Sequence, residues 1–384
     1  MNKQKILAAV HLYPPKHLCG GEMYLHRLLK KLQSKGHQVR VLLLNAAFYG
    51  IDRVYIYDGV ECYPNERDVI MANCEWASVF ITHLDYTPTV LGFGEIYKRP
   101  VIHLVHNNHR RPDILQARYG QYAIYNTEHA ARGVAYDCPS IVLHPPCDYR
   151  DWDDGKDHYE QEFITLINLD GNKGGEVLTR IALAMPDKKF IGIIGSYSAP
   201  LEEGQYTKQP PNVLVLPKTK NIAAIYAQTR ILIMPSKYES WGMTATEAMA
   251  SGIPVISTGT PGLRENCGEA GIYIEDRTDT AAWVAKIRSL ENRETYTERS
   301  QAARARSREL DPGEELEAAA DWIANVRFYS QSVKGTVSTV ALFKAEEPQH
   351  GETAPAKAGT PAPKKGGAKP PAKAGQAKPQ TQKQ

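Results

Sequence analysis

The feature that most constrains this chain is a repeated switch between short apolar runs and segments of helical periodicity. Lys5–Val10 reads KILAAV, and Val39–Leu44 reads VRVLLL. Between them, GEMYLHRLLKKLQSKGHQ sets Met23, Leu25, Leu28, Leu29 and Leu32 at helical spacing. Gly36 then ends the helix, as glycine commonly does, which completes a β–α–β unit. Further strands are expected at Val79–Thr82, Val101–Val105 and Ala123–Tyr125. A second series follows at Phe163–Asn168, Lys189–Ile194, Asn212–Leu216, Ile231–Met234 and Pro254–Ser257. Helices fill the gaps, notably Gly175–Ala184, Ile222–Gln228 and Met243–Ala250. Such alternation predicts an α/β fold with parallel sheets, here two Rossmann-like domains over 1–150 and 162–310.

Between the two series, Pro145–Gln161 reads PPCDYRDWDDGKDHYEQ, polar and rich in turn formers, with 151–161 as the linker proper. Pro312–Tyr329, within a terminal segment 311–330, reads as one more helix with Leu316, Ala320, Ile323 and Val326 facing a core. From 345 to 384 the chain is mostly Lys, Pro, Ala, Gly and Gln with no aromatic residue. It cannot bury enough surface to offset its ordering entropy, so a disordered tail is expected.

A length of 384 residues suits two domains of roughly 100–200 residues each. No apolar run reaches the roughly eighteen residues a membrane span needs. Ile6–Val10 is too short for a signal-peptide core and lacks a small-residue cleavage site. The six cysteines, at 19, 62, 74, 138, 147 and 267, form no C-x-x-C pair, so neither a zinc site nor a disulfide framework is expected. A cytoplasmic setting follows as the expectation. The net charge of +3 is uneven: residues 341–384 hold eight lysines and three glutamates, which leaves the body at −2. Attraction to nucleic acid therefore has to come from the tail or a local patch.

The most informative stretch, Ile231–Ile256, reads ILIMPSKYESWGMTATEAMASGIPVI. A buried strand runs into PSKYESWG, and a helix starts near Gly242 and carries Glu247. Seven residues separate Glu239, in the loop, from Glu247, about one turn inside the helix. The loop leaves the C-terminal edge of a strand, where open α/β sheets bind ligands. The N–H groups of Ser240, Trp241, Gly242 and Met243 face that crevice, and such a helix start suits a diphosphate. Carboxylates beside it accept hydrogen bonds from sugar hydroxyls. The bland alternative is that the two glutamates only favour the helix start electrostatically.

With its flanks PS-x-x-E-S-x-G and EAMASG-x-PVI, this stretch resembles the retaining glycosyltransferases of family four, which have the GT-B fold. The resemblance implies that Glu239 contacts donor-sugar hydroxyls and Glu247 the nucleotide ribose. It extends to GGEMYLHRLLKKLQSKGHQVRV, similar to the family's GG-E segment; Gly20 and Gly21 then lie at the cleft near the donor phosphates and acceptor. Two glycines let the backbone approach a ligand closely and adopt positive φ. In VIHLVHNNHR, the spacing of His103, His106 and His109 crosses a strand-to-loop change and argues against a shared metal. His106 best matches the family histidine that reaches the donor sugar. In NLDGNKG, Lys173 matches the family's diphosphate lysine, while Asn168 stands where an arginine is usual, removing one positive charge. Glu265 and the terminal helix, which in the family crosses back to the first domain, also have counterparts. Asp151-Trp152-Asp153 matches a metal-binding D-x-D but lies in the polar linker. GIIGS, Gly192–Ser196, is only half a dinucleotide fingerprint and reads as a loop near the nucleobase.

The resemblance thus implies a hexosyl-type glycosyltransferase of phage or bacterial source. It moves a sugar from a nucleotide-diphosphate donor with retention of configuration, without metal or other cofactor. The acceptor is expected to be a saccharide or lipid-linked glycan. A narrower alternative is a hydroxymethylated base in DNA, held by the basic tail. A non-enzyme alternative, a nucleotide-sugar-binding protein of weak turnover, draws only on Asn168.

Overall fold

The computed structural model describes residues 3–107, 120–195 and 209–329; His109, Ser196 and the expected tail lie outside them. The first sheet contains β1 (Lys5–Val10), β2 (Gln38–Leu43), β3 (Tyr55–Tyr57), β4 (Val60–Tyr63), β5 (Val79–His83), β6 (Val101–Val105), β7 (Gln121–Tyr125) and β8 (Ser140–Val142). Their order is β3-β4-β2-β1-β5-β6-β7-β8, parallel except for the β3–β4 pair. The second sheet contains β9 (Phe163–Ile167), β10 (Lys189–Ile193), β11 (Val213–Leu216), β12 (Thr229–Met234), β13 (Val255–Thr258) and β14 (Ile272–Ile274). It is parallel throughout, in the order β11-β10-β9-β12-β13-β14. The expected α/β class and two Rossmann-like sheets are therefore present.

Strand order reverses direction once in each sheet, between β1 and β5 and between β9 and β12. Loops leaving the C-terminal ends of two such neighbours diverge to opposite faces, and the gap between them is where open α/β sheets take ligands. These two reversals decide where chemistry can happen.

The helix after β1 spans Gly20–Ser34 and buries Tyr24, Leu25, Leu28, Leu29 and Leu32 against the first sheet. Met23, expected on the core face, is only half-buried, while Glu22 and His26 are buried. His26 is accommodated by a 2.6 Å hydrogen bond between its Nδ1 and the Tyr13 hydroxyl. Gly36 follows the helix at φ +82°, a conformation that costs glycine little. The β3–β4 hairpin turns on Asp58-Gly59, both at positive φ. Asp-Gly is the pair that a two-residue hairpin turn favours.

The last helix is shorter than expected, Gly313–Asn325 rather than Pro312–Tyr329. Val326 turns to extended backbone, and the following residues are held by strand β7 instead. Tyr122 Oη accepts from Arg327 N at 3.0 Å, and Tyr329 Oη donates to Gln121 O at 2.5 Å. Ala319, Ala320, Ile323 and Val326 join the core of the first sheet, so the last described helix packs on the half where the chain began. The segment between the sheets is polar but firmly packed. His158 is fully buried, with Nδ1 2.9 Å from Thr229 O and Nε2 3.1 Å from Asp154. Asp153, half of the D-x-D match, pairs with Arg304. No described helix is long and apolar enough to cross a membrane.

Candidate functional site

At the second sheet's reversal, the loop after β9 carries Lys173 and the loop after β12 carries Glu239. Their side chains meet: Lys173 Nζ donates to Glu239 Oε1 at 2.7 Å, and Ser236 Oγ donates to the same oxygen at 3.0 Å. The carboxylate is buried, while the lysine side chain is about one-third exposed (34%) and faces the crevice rim. The two loops touch closely through Gly174. At φ +101°, a Cβ there would lie 2.6 Å from the Pro235 carbonyl oxygen, so only glycine fits. Arg277 braces the same loops from behind, donating to Pro235 O at 2.5 Å, Gly171 O at 3.1 Å and Glu176 at 2.6 Å.

Asn168, where the resemblance implies an arginine, sits at φ +79°, a backbone conformation that asparagine tolerates better than most residues. Its Oδ1 accepts from Asp170 N at 3.0 Å and packs against Gly195. The side chain serves the loop's own turn and adds no positive charge to the crevice.

The helix Met243–Ala250 starts at the same crevice, after Gly242 at φ +90°, where a Cβ would lie 2.6 Å from Leu263 Cδ2. Among the described residues, the N–H groups of Ser240, Trp241, Gly242 and Met243 donate to no protein acceptor. They are unpaired donors at the positive end of a helix dipole. The Trp241 side chain is buried and donates to Thr246 Oγ1 at 3.1 Å, so this residue offers the crevice its backbone. One turn on, Glu247 accepts from Tyr226 Oη at 2.9 Å. Burial pushes its carboxyl up to about 7, opposed by that hydrogen bond and by the charge of Arg27 from the first half.

At the first sheet's reversal the chemistry differs. His83 ends β5 and His106 follows β6, with His106 Nε2 3.1 Å from His83 Nδ1. Burial pushes His106 down to about 4 and His83 well below its ordinary value, so both rings are neutral near pH 7. His11 follows β1 and faces Glu22, which is buried one turn from the N-terminus of helix Gly20–Ser34. Gly20 and Gly21 do not adopt the positive φ that their sequence suggested; both are ordinary helical residues at the helix start. Their smallness is what counts here. A Cβ on Gly21 would rest 3.5 Å from His106, and one on Gly20 would rest 3.7 Å from Met243 of the second half.

These last contacts set the two crevices against each other. Asn126 spans the gap, with Nδ2 donating to His106 O at 3.3 Å and to Ser240 Oγ at 3.2 Å. His103 lies away from the gap, buried against Tyr136, so the three histidines of VIHLVHNNHR supply the cleft with His106 alone among the described residues.

Sequence reading left Glu265 without a clear role. Its carboxylate accepts from Glu128 N at 2.6 Å and His129 N at 3.0 Å, capping a helix of the first half (Glu128–Val134) from the second. His144 Nε2 reaches Glu265 at 3.0 Å and its Nδ1 reaches Glu315 at 2.8 Å. Burial opposes a charge on His144, but the two carboxylates outweigh it and raise the imidazole to about 9. A charged, three-residue clamp therefore ties the halves beside the cleft. Neither this clamp nor the roles of His11, Glu22 and His83 was read from the sequence. The usable signal was His83 closing an apolar strand, as His106 does.

Comparison with known proteins bears on the fold that carries these crevices. Residues 163–293 match the family model described as glycosyl transferases group 1. A stretch of 73 residues is 37% identical to a D-inositol 3-phosphate glycosyltransferase of Corynebacterium kroppenstedtii, covering 18% of this chain and 16% of that protein. Another of 147 residues is 29% identical to the sulfoquinovosyl transferase SQD2 of Arabidopsis thaliana, covering 36% and 28%. The chain thus spans less than a third of the length of these curated relatives. Among solved structures, a sucrose-phosphate synthase from Thermosynechococcus elongatus superposes with a TM-score of 0.68 at 16% identity, over 83% of this chain and 98% of that one. Anabaena HepE in complex with UDP and glucose gives 0.64 at 14% identity, over 84% and 100%. The fold is GT-B, as the sequence resemblance implied.

Proposed function

We propose that this protein is a glycosyltransferase that moves a sugar from a nucleotide-diphosphate donor to a hydroxyl acceptor with retention of configuration. The observation that carries this reading is the meeting of Lys173, Glu239 and the unpaired N–H groups of Ser240–Met243 at one strand-order reversal. Donors at a helix start and a lysine suit a diphosphate and stabilise the negative charge that grows as it departs. Glu239 takes sugar hydroxyls, Glu247 the ribose, and His106 approaches the sugar from the facing wall. The donor's anomeric C–O bond to the diphosphate breaks. The acceptor oxygen attacks the same face, and its proton passes to the departing phosphate oxygen. No enzyme nucleophile is required, and no metal is needed on the diphosphate. The group 1 match over 163–293 supports this placement of the donor on the second half. A saccharide or lipid-linked glycan is the acceptor class we favour, taken from the first half. UDP-sugars are the first donors to try, because HepE, of the same fold, is described with UDP and with UDP-glucose.

The test is a transfer and donor-hydrolysis assay over a panel of nucleotide sugars, with wild type beside the double variant Lys173→Ala/Glu239→Ala. The reading expects turnover with one donor series and its loss in the variant. Equal turnover in the two proteins would refute it.

A further inference from the structure

Glu22 is 1% exposed, and its Oε1 has no close, well-aligned hydrogen bond among the described residues, although the neighbouring His17 and His11 hold its carboxyl below the usual range against burial. Two imidazole nitrogens stand 3.4 Å from that oxygen instead, His11 Nε2 and His17 Nδ1. His83 is fully buried; its Nδ1 faces His106, and its Nε2 is buried without a partner. One ligand atom each from His11, Glu22 and His83 lie within 4.8 Å of one another. Leaving a buried polar atom unpaired costs about 1–3 kcal/mol. That cost falls on His83 Nε2, which shares one small patch with a buried carboxylate held only by imidazoles at 3.4 Å, and an ion there would serve both groups.

We propose that His11, Glu22 and His83 bind a divalent transition-metal ion, with zinc the best match, in the crevice at the first sheet's reversal. Two neutral imidazoles and a carboxylate are a donor set that zinc takes, with the fourth position left open. Magnesium and calcium prefer oxygen ligands throughout. Zinc bonds of about 2.0–2.2 Å put tetrahedral neighbours roughly 3.4 Å apart, the separation His11 Nε2 and Glu22 Oε1 already have. Three separate elements supply the ligands: the end of β1, the following helix and the end of β5. With the ion on Nε2 of His83, its Nδ1–H is fixed as the donor to His106 Nε2. The metal would thereby orient the cleft histidine from behind, as outer groups orient ligands in metal sites. The ion lies on the wall opposite the Ser240–Met243 helix start, and the proposal stands whether or not the protein transfers sugar.

The test uses the tag-free full-length chain, stripped with chelator and titrated with Zn2+ by calorimetry and with Co2+ by visible absorption. We expect one equivalent of Zn2+ at micromolar affinity or tighter, and the intense cobalt bands of a four-coordinate site. Affinity should fall about 100-fold or more in Glu22→Gln and in His11→Ala. If Glu22→Gln fails to fold, His11→Ala carries the comparison, since that side chain is 21% exposed. Absence of stoichiometric uptake, which is the result if water fills the patch, overturns the proposal. So does uptake unchanged in His11→Ala but lost in Cys19→Ser, which would assign the ion to the neighbouring His17, Cys19 and Glu22 group.

Discussion

The two strand-order reversals are the same piece of topology with opposite chemistry. At β9/β12 the loops bring a cation, a carboxylate and a row of unpaired amides, shaped by Gly174 and Gly242 at positive φ. At β1/β5 they bring neutral imidazoles around a buried carboxylate, with Gly20 and Gly21 in plain helical conformation. A sheet reversal supplies a crevice without specifying its ligand; loop residues do that. The first pattern suits a polyanion, which is why the donor is proposed to sit there.

The largest expected effect is on turnover at the second crevice. Lys173→Ala/Glu239→Ala should lower kcat/KM by on the order of 1,000-fold, about 4 kcal/mol, as removal of preorganised charge stabilisation does. His106→Ala should lower it by a smaller factor, roughly 10- to 100-fold. Steady-state kinetics on both variants checks the ranking, and a reversed ranking would put the reaction's main support on the wrong wall.

Next comes Glu247. Its carboxyl is raised from 4.5 to about 7 in the folded protein. A raised acid favours folding fully below about pH 4.5, and that contribution is lost as pH climbs through about 7. The shift corresponds to about 3 kcal/mol at most, and less after discounting for a side chain that is only partly buried. Glu247→Gln should flatten this part of the stability-against-pH curve, measured by denaturant unfolding from pH 4 to 8. A parallel curve would show that burial does not govern this group.

The clamp between the halves follows. His144, raised to about 9, supports the fold fully below about pH 6.5 and ceases to do so as pH passes about 9. Glu265 is held below its usual range, against burial, by His144 and two N–H groups, so its share is lost as pH falls through its lowered value. Both describe one interaction and are not summed. His144→Gln should cost about 2 kcal/mol at pH 7, discounted for the roughly one-quarter exposure of the ring. The difference from wild type should shrink above pH 9.

The smallest effects separate the glycines. Gly242→Ala forces a Cβ into Leu263 at φ +90° and should cost about 1–3 kcal/mol. Gly20→Ala meets only ordinary contact with Met243 and gains helix propensity of up to about 1 kcal/mol. Thermal melts of the pair should move in opposite directions.

Legibility in the sequence follows the same divide. The second crevice was readable because Glu239, the helix start and Glu247 lie in one run of chain, and Lys173 follows the neighbouring strand in a short loop. The first crevice joins the ends of β1, β5 and β6 to a helix start, residues about a hundred positions apart, and no local pattern announces their meeting. Helical periodicity also misled. It put Met23 on the core face, whereas Glu22 and His26 are buried, because a buried polar side chain reads as a surface residue in an apolar pattern. The β3–β4 hairpin was missed because its strands are short and partly exposed, despite the Asp-Gly turn.

The most direct test of the central claim is a thermal-shift titration of nucleoside diphosphates and their sugar conjugates in the presence of chelator, on wild type and Glu247→Ala. A ligand of the folded state raises its melting temperature. The account predicts a rise with one nucleotide series without any metal, lost in Glu247→Ala. No rise with any of them, or the same rise in both proteins, would contradict a donor seat at the β9/β12 crevice.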